Sequence, residues 1–235
     1  MKSSVQLFLF LMILTMTSCT KSYMDGGRMI TVERQIDNNY SSLSVEGAFD
    51  LQLVENENYD IRIECPENLL PYIITNVHDG ELYISEKTNH INARNRGTIY
   101  VNKTYLTTLR NEGSGNVKGH LDNSEYLDIL NYGSGNIQLN ASSDDHIFID
   151  NEGSGNISID GSTKDIIIKI DGSGNVDALY LYTENGDVTI NGSGNSLVNC
   201  SESLEAYING SGNVLYLGNP MLTVNITGSG EIRPY

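Results

Sequence analysis

The chain has 235 residues, and its 14 Lys and Arg against 30 Asp and Glu give a formal net charge of −16. Nucleic acid and anionic membrane surfaces both require a positive face, so this balance argues against either as an electrostatic partner. A hydrophobic content of 39% with 19% charged residues excludes a disordered chain. The length suits one or two domains, and a single all-β domain can use all of it.

The N-terminus has the composition of a targeting segment. Lys2 precedes a 12-residue apolar run over 5–16, which suits the core of a signal peptide and is too short to span a bilayer. Ser18-Cys19 at its end resembles a lipobox, in which the Cys sulfur is lipidated and becomes the new N-terminus. We therefore predict a signal peptide over 1–18 and a lipidated Cys19 with a polar tether over 19–27. An ordinary secretory signal with a chance Cys is the alternative.

Two further cysteines remain, Cys65 and Cys200, which lie 135 positions apart. An oxidising envelope permits a disulfide between them, but this spacing does not fix their geometry, and two separate buried thiols are favoured. Neither a CxxC motif nor a Cys/His cluster occurs, so we predict no metal site and no cofactor.

An internal repeat organises residues 106–235. Gly-Ser-Gly-Asn occurs six times at intervals of 18–20 residues, and a seventh copy ends in Glu231. The copies begin at Gly113, Gly133, Gly153, Gly172, Gly192, Gly210 and Gly228. Apolar and polar residues alternate on both sides of each copy, which is the period of a strand. Such repeats bury their apolar faces only when stacked, so the sequence predicts an all-β parallel β-helix, or β-solenoid, of about seven coils.

Two columns of asparagine are expected to stack between the coils. One column closes the turns and is interpreted as a structural amide ladder: Asn116, Asn136, Asn156, Asn175, Asn195 and Asn213. The glycines beside it are expected to allow positive φ and close stacking. The other column has inward parity and reads Asn111, Asn131 and Asn151, then Ile170, Ile190, Ile208 and Ile226. Because buried amides must be paired, we predict a polar stripe in the first three coils that becomes apolar later.

Residues 28–105 also alternate as strands but lack the Gly-Ser-Gly-Asn motif. They are expected to form either irregular early coils or a capping β-layer. No obvious linker divides the chain, so 28–235 is predicted to be one domain. At the far end, Pro234 is expected to prevent a further strand from pairing with the edge of the solenoid, because proline has no backbone N–H to donate.

The order of these segments resembles a known family. The stretches LSVEGAFDL (43–51), IRIECPENLL (61–70), GELYI (80–84) and IYV (99–101) run in turn into LTTL (106–109) and the first Gly-Ser-Gly. Over about residues 30–235 this succession resembles the family named putative auto-transporter adhesin, head GIN domain, common as secreted lipoproteins of Bacteroidota. The resemblance implies a β-helical fold and no catalytic residues.

Candidate binding residues are tyrosines with outward parity. Tyr180 and Tyr182 alternate with inward leucines, and Tyr132 and Tyr207 also have outward or turn positions. Tyrosine rings stack on the apolar faces of sugars, so these residues are predicted glycan or partner contacts, although Tyr is also simply a good strand residue. A separate outward patch is apolar: Leu130, Phe148 and Ile167. It is expected to be covered by 28–105 or a return loop, or to form a partner interface.

Catalysis is not predicted. The four histidines are scattered, and Asp144-Asp145-His146 is typical of a chance acidic loop in so acidic a chain. The leading hypothesis is therefore a non-catalytic lipoprotein of the cell envelope, an adhesin or a module that binds glycan or protein. The alternative is a periplasmic structural or envelope-sensing partner without an external ligand, and a glycan-active enzyme comes third. The outer membrane is the expected location, with the leaflet and the oligomeric state left open.

Overall fold

The structure is a computed structural model that describes residues 27–55, 57–87 and 96–235. The strands in this part of the chain are β1 (Met29–Arg34), β2 (Ser42–Glu46), β3 (Asp50–Val54), β4 (Ile61–Pro66), β5 (Ile73–His78), β6 (Glu81–Glu86), β7 (Thr98–Asn102), β8 (Thr108–Asn111), β9 (Val117–Asn131), β10 (Ile137–Asn151), β11 (Ile157–Ser162), β12 (Asp165–Ile170), β13 (Val176–Gly192), β14 (Ser196–Gly210), β15 (Val214–Leu217), β16 (Met221–Gly228) and β17 (Ile232–Pro234). A 3₁₀ turn spans Leu70–Tyr72. The predicted signal peptide, Cys19 and most of the tether lie outside the described residues.

All the strands join one sheet that coils into a β-solenoid, which confirms the predicted fold class. Each regular turn contributes one strand segment after a Gly-Ser-Gly-Asn turn and one before the next. Ladder A is the row of segments that follow the turns, in the order β1, β4, β7, β3, β9, β10, β11, β13, β14, β15, β17. Ladder B is the row that precedes them, in the order β5, β6, β2, β8, β9, β10, β12, β13, β14, β16. The long strands β9, β10, β13 and β14 pass through both ladders.

The solenoid has about six turns, slightly fewer than predicted. The seven Gly-Ser-Gly turns enclose only six complete coils, which run from β9 to the β15–β16 pair. The strands β8 and β17 flank these coils and each supply only one of the two segments of a turn.

The core lies between the two ladders and is almost entirely aliphatic. One inward column of ladder B reads Ile129, Ile149, Ile168 and Val188, each with no exposed surface. Their register is that of a stack, because each residue is the Cα partner of the next. Full burial of such a side chain is worth about 1.5–3 kcal/mol, so the repeated inward positions dominate the stability of the fold.

The N-terminal part combines both predicted arrangements. The parallel pairs β2–β6, β2–β8, β3–β7 and β3–β9 form early coils. The strands β1, β4 and β5 pair antiparallel and cap this end. Arg34 of β1 joins the two ladders there, because its Nη1 donates to the Ile73 carbonyl at 3.0 Å and to Thr75 Oγ1 at 2.9 Å.

The C-terminal end is open on ladder B. All eight residues of β16 are exposed, and within the described residues β16 pairs only with β14. The strand β17 that carries Pro234 pairs with β15 on ladder A. The expectation that Pro234 blunts the far edge is therefore wrong for ladder B, because the chain crosses to ladder A before it reaches the proline.

Candidate functional site

The turn asparagines form a continuous ladder along the solenoid. From Asn116 to Asn195, each side-chain oxygen accepts two hydrogen bonds from the next asparagine, one from its backbone N–H and one from its side-chain amide, at 2.9–3.3 Å. The carboxylate of Asp50 is the acceptor at one end, since Asn116 donates to it from both nitrogens. The backbone N–H of Glu231 donates to Asn213 at the other end. The amides thus satisfy one another, which leaves a structural role for this column.

The inward asparagines stack inside the core. Asn111, Asn131 and Asn151 have no exposed surface. The Nδ2 of Asn111 donates to Asn131 Oδ1 at 3.2 Å, and that of Asn131 donates to Asn151 Oδ1 at 3.1 Å. The amide of Asn151, the last in the column, donates to the Gly155 carbonyl at 3.0 Å, and that of Asn111 also donates to the Gly115 carbonyl at 3.3 Å. The next position is Ile170, which is fully buried, so the polar stripe ends at this turn.

The glycines of the turns are required by close stacking more than by backbone conformation. Within the motif, positive φ occurs only at the first glycine of the last three copies, so the expected role of φ applies to a minority of turns. A Cβ on Gly133 would collide with the carbonyl oxygen of Gly113, and one on Gly153 with that of Gly133. Because the obstacle is backbone, a side chain here would push two turns apart.

The four candidate tyrosines divide between two surfaces. Tyr180 and Tyr182 lie on the outer surface of ladder A and are 69% and 67% exposed, which exceeds the exposure of every other tyrosine in the described chain. They alternate with the buried Leu181 and are separated by about 7 Å along the strand. Tyr132 and Tyr207 belong to the side of ladder B and are 37% and 42% exposed. The ring of Tyr132 lies 5.7 Å from the Arg110 guanidinium, and the hydroxyl of Tyr207 donates to Glu205 at 3.4 Å.

A polar stripe leads up to Tyr180 on ladder A, one residue per turn. His120, Asn140, Asp160 and Tyr180 are successive Cα partners. The amide of Asn140 donates to Asp160, and its oxygen lies 2.7 Å from His120 Nδ1. The three polar residues stand seven positions after the first glycine of their copies, so the repeat alignment contains the signal for them. The predicted binding residues include only tyrosines, because parity within a single strand does not reveal a column that repeats between turns.

This stripe and the two tyrosines form what we call the ladder A site: His120, Asn140, Asp160, Tyr180 and Tyr182. It offers two exposed ring faces beside a carboxylate acceptor and an amide that both donates and accepts. A glycosidase requires a second carboxylate across the scissile bond. The in-register neighbours of Asp160 on either side are Asn140 and Tyr180, so the ladder A site has binding groups without that pair.

The outward patch Leu130, Phe148 and Ile167 lies on ladder B among acidic residues. All three side chains are half-buried, and the ammonium of Lys169 lies 5.2 Å from the ring centre of Phe148. Lys169, on an adjacent turn, thus covers part of the Phe148 ring. The register places Asp128 beside Phe148, Asp150 beside Leu130 and Asp187 beside Ile167. Desolvation by this packing is the main cause that raises the pKa of each aspartate, and neighbouring acids add to it at Asp150 and Asp187.

Cys65 and Cys200 are free thiols in the structure, both fully buried. Burial raises the pKa of each. Within 27–55, 57–87 and 96–235, no three His, Cys, Asp or Glu side chains are grouped so that they could hold a metal ion. No helix in the same ranges is long and apolar enough to cross a membrane.

Comparison with known proteins places this solenoid in a family. The family described as putative auto-transporter adhesin, head GIN domain, matches residues 39–220. The match spans most of the chain, so the chain belongs to this family and the resemblance seen in its sequence is confirmed. A search of curated proteins found no match.

Solved structures share the fold. A putative adhesin from Bacteroides fragilis is similar with a TM-score of 0.83 and 21% identity, over 90% of this chain and 100% of that one. A putative adhesin from Parabacteroides distasonis has a TM-score of 0.69 and 24% identity, over 91% and 100%. A protein from the same organism described as a putative lipid binding protein has a TM-score of 0.60 and 24% identity, over 91% and 100%. At these identities the likeness shows the fold alone.

Proposed function

We propose that this protein is a non-catalytic adhesin of the cell envelope that binds a glycan along the ladder A site. The observation that carries the proposal is the alignment of two highly exposed tyrosine rings with a hydrogen-bonded row of polar side chains. Ring faces pack on the C–H faces of sugars, while carboxylate and amide groups bond to hydroxyls. Membership of an adhesin family supports the same conclusion.

The shape of the surface also favours an extended ligand. The stripe advances by one turn of the solenoid per residue, about 4.8 Å at each step, so its four residues follow a line along the rod. A chain of sugar units lying along this line would meet one polar or aromatic side chain at each turn. The one acidic group among the five residues of the ladder A site is the Asp160 carboxylate, which favours a neutral glycan over a strongly acidic one.

The binding test is a glycan array followed by titration of the strongest ligand. Tyr180→Ala/Tyr182→Ala should weaken binding at least about tenfold, the equivalent of about 1.4 kcal/mol. Tyr132→Ala/Tyr207→Ala is the matched control, since it removes two exposed rings from the other side and should leave affinity unchanged. Equal loss in both variants, or loss in neither, would contradict a ladder A site.

The envelope location rests on the N-terminal sequence. Cys19 at the end of an apolar run would carry the lipid that holds the protein at the outer membrane. Cys19→Ser should release the protein from the membrane fraction, and retention would count against lipidation. Protease treatment of intact cells, with a known periplasmic protein as control, should cut the chain if it is an adhesin. Protection until the outer membrane is opened would favour a periplasmic partner instead.

A further inference from the structure

The C-terminal end of the solenoid exposes residues that have core parity. Leu222, Val224 and Ile226 of β16 align with Leu204, Ala206 and Ile208 of β14, which are 0–2% exposed. Leu222, Val224 and Ile226 themselves are 41%, 42% and 38% exposed. The interior of the rod is therefore open to solvent at this end, beside an unpaired strand edge, and such an edge is a template for further pairing.

The composition of β16 does not protect this edge. The edge strands of natural proteins often carry charged residues or proline, which prevent them from pairing with strands of other chains. On ladder B, the strands from β9 to β14 carry carboxylates at Asp128, Asp150, Asp165, Asp187 and Glu205. The sequence of β16, MLTVNITG, has no charged residue and no proline, in a chain with a net charge of −16. The family match ends at residue 220, immediately before this strand.

The two ends of the rod are not complementary to each other. At the N-terminal end, β5 is the last strand of ladder B and runs antiparallel to β6, and Arg34 bridges the two ladders by hydrogen bonds to β5. A head-to-tail stack would place the open apolar end of one copy against this polar closure. The C-terminal end is complementary to itself, because apolar 222, 224 and 226 alternate with polar 223 and 225 symmetrically about Val224.

We propose that two copies of this chain associate C-terminal end to C-terminal end, with their β16 strands paired antiparallel about a two-fold axis at Val224. An axis perpendicular to ladder B keeps the inward faces of both β16 strands on the same side of the joined sheet. In this register Leu222 faces Ile226 of the second copy, Val224 faces its own equivalent, and Thr223 faces Asn225. Such an isologous contact closes at the dimer and does not propagate into fibres. The dimer presents two ladder A sites, which gives avidity on a repetitive ligand.

Cross-linking tests the register directly. Residues directly opposite in an antiparallel pair have Cα atoms about 4.5–5.5 Å apart, which suits a disulfide. In a full chain with Cys19→Ser, Val224→Cys should give a covalent dimer under mild oxidation. Ile74→Cys, an exposed residue of β5 at the capped end, is the matched control and should stay monomeric on a non-reducing gel. Cross-linking of Ile74→Cys but not Val224→Cys would overturn the proposal.

Sedimentation of the Cys19→Ser chain tests the association itself. We expect a concentration-dependent mass that reaches a plateau at the dimer and is favoured by added salt, since each copy carries −16. Val224→Lys should give a monomer, because it places like charges opposite each other, while Ile74→Lys should still dimerise. Circular dichroism checks that both variants remain folded. A wild-type monomer at all concentrations up to about 1 mM, growth beyond the dimer, or loss of association in Ile74→Lys would each refute the proposal.

Discussion

Asn131 is fully buried and donates a hydrogen bond from its side-chain amide to Asn151 in the next turn, at 3.1 Å. Its own side-chain oxygen accepts the amide of Asn111 at 3.2 Å. Asn131 is thus the only member of this three-residue column with an asparagine on both sides. The column continues as Ile170, so the same inward position is filled by amide pairs in one part of the rod and by aliphatic contact in the next.

Removal of the middle amide should destabilise the folded protein. We expect Asn131→Ile to lower the free energy of unfolding by about 1–3 kcal/mol, because it leaves buried polar atoms of Asn111 and Asn151 without that partner. Urea denaturation followed by tyrosine fluorescence measures the change.

Replacement of the whole column is the control for this interpretation. Asn111→Ile/Asn131→Ile/Asn151→Ile gives the first turns the side chain that the later turns already carry. The triple variant should lose less free energy of unfolding than the three single variants lose in total, because it leaves no buried asparagine without its asparagine partner. Additive costs would show that the three amides do not depend on one another.

The stacking of the turns makes a second prediction. Gly153→Ala should destabilise the protein by about 1–3 kcal/mol, since its Cβ would collide with the Gly133 carbonyl and neither backbone can move alone. Ser154→Ala in the same turn is exposed and should change stability by less than about 0.5 kcal/mol. Thermal unfolding of both variants makes the comparison, and equal effects would show that the turn tolerates a side chain.

Much of the solenoid is predictable because the repeat forces one register. The fixed interval between turns aligns apolar columns that must face inward, and the inward parity of Asn111 already indicates a partner one turn away. The ladder A site depends on a finer feature. Tyr180 stands eight residues after Gly172, whereas Asp160 stands seven after Gly153, and a register shift between Ser158 and Asp160 brings the two into line. Strand alternation carries no signal for such a bulge.

The capping strands were not predictable for a related reason. β4 alternates like every other strand, and only its tertiary pairing with β1 and β7 decides that it runs antiparallel. The open edge at β16 likewise depends on which ladder the last residues join. Sequence periodicity identifies the inward face of a strand but leaves its neighbours undetermined.

The aspartates around the apolar patch of ladder B should make stability depend on pH. Burial raises the pKa of Asp128, Asp150 and Asp187 above the ordinary 3.8, so the folded state binds protons more tightly than the unfolded state. Their charged forms oppose folding at neutral pH. This unfavourable contribution is relieved as the pH falls through the raised pKa values toward 3.8.

Amide substitution isolates this effect. Asp128→Asn/Asp150→Asn, at the two half-buried positions, should raise the urea midpoint at pH 7 and reduce the further gain on going to about pH 5. Glu184→Gln/Glu202→Gln removes the same charge from two exposed positions and serves as the control for general repulsion. An identical pH dependence in the two variants would show that net charge, rather than the packed patch, sets the response.

Burial of the two thiols predicts how they react. Cys65 and Cys200 are fully buried, the hydroxyl of Thr183 lies 3.3 Å from the Cys200 sulfur, and desolvation raises both pKa values. Since the thiolate is the reactive form, both inaccessibility and protonation protect these residues in the folded chain. In the Cys19→Ser protein, Ellman's reagent should therefore label neither thiol rapidly under native conditions and both after denaturation. Failure to recover both thiols in denaturant without reductant would indicate the alternative disulfide, and rapid native labelling would show that the core around one of them opens.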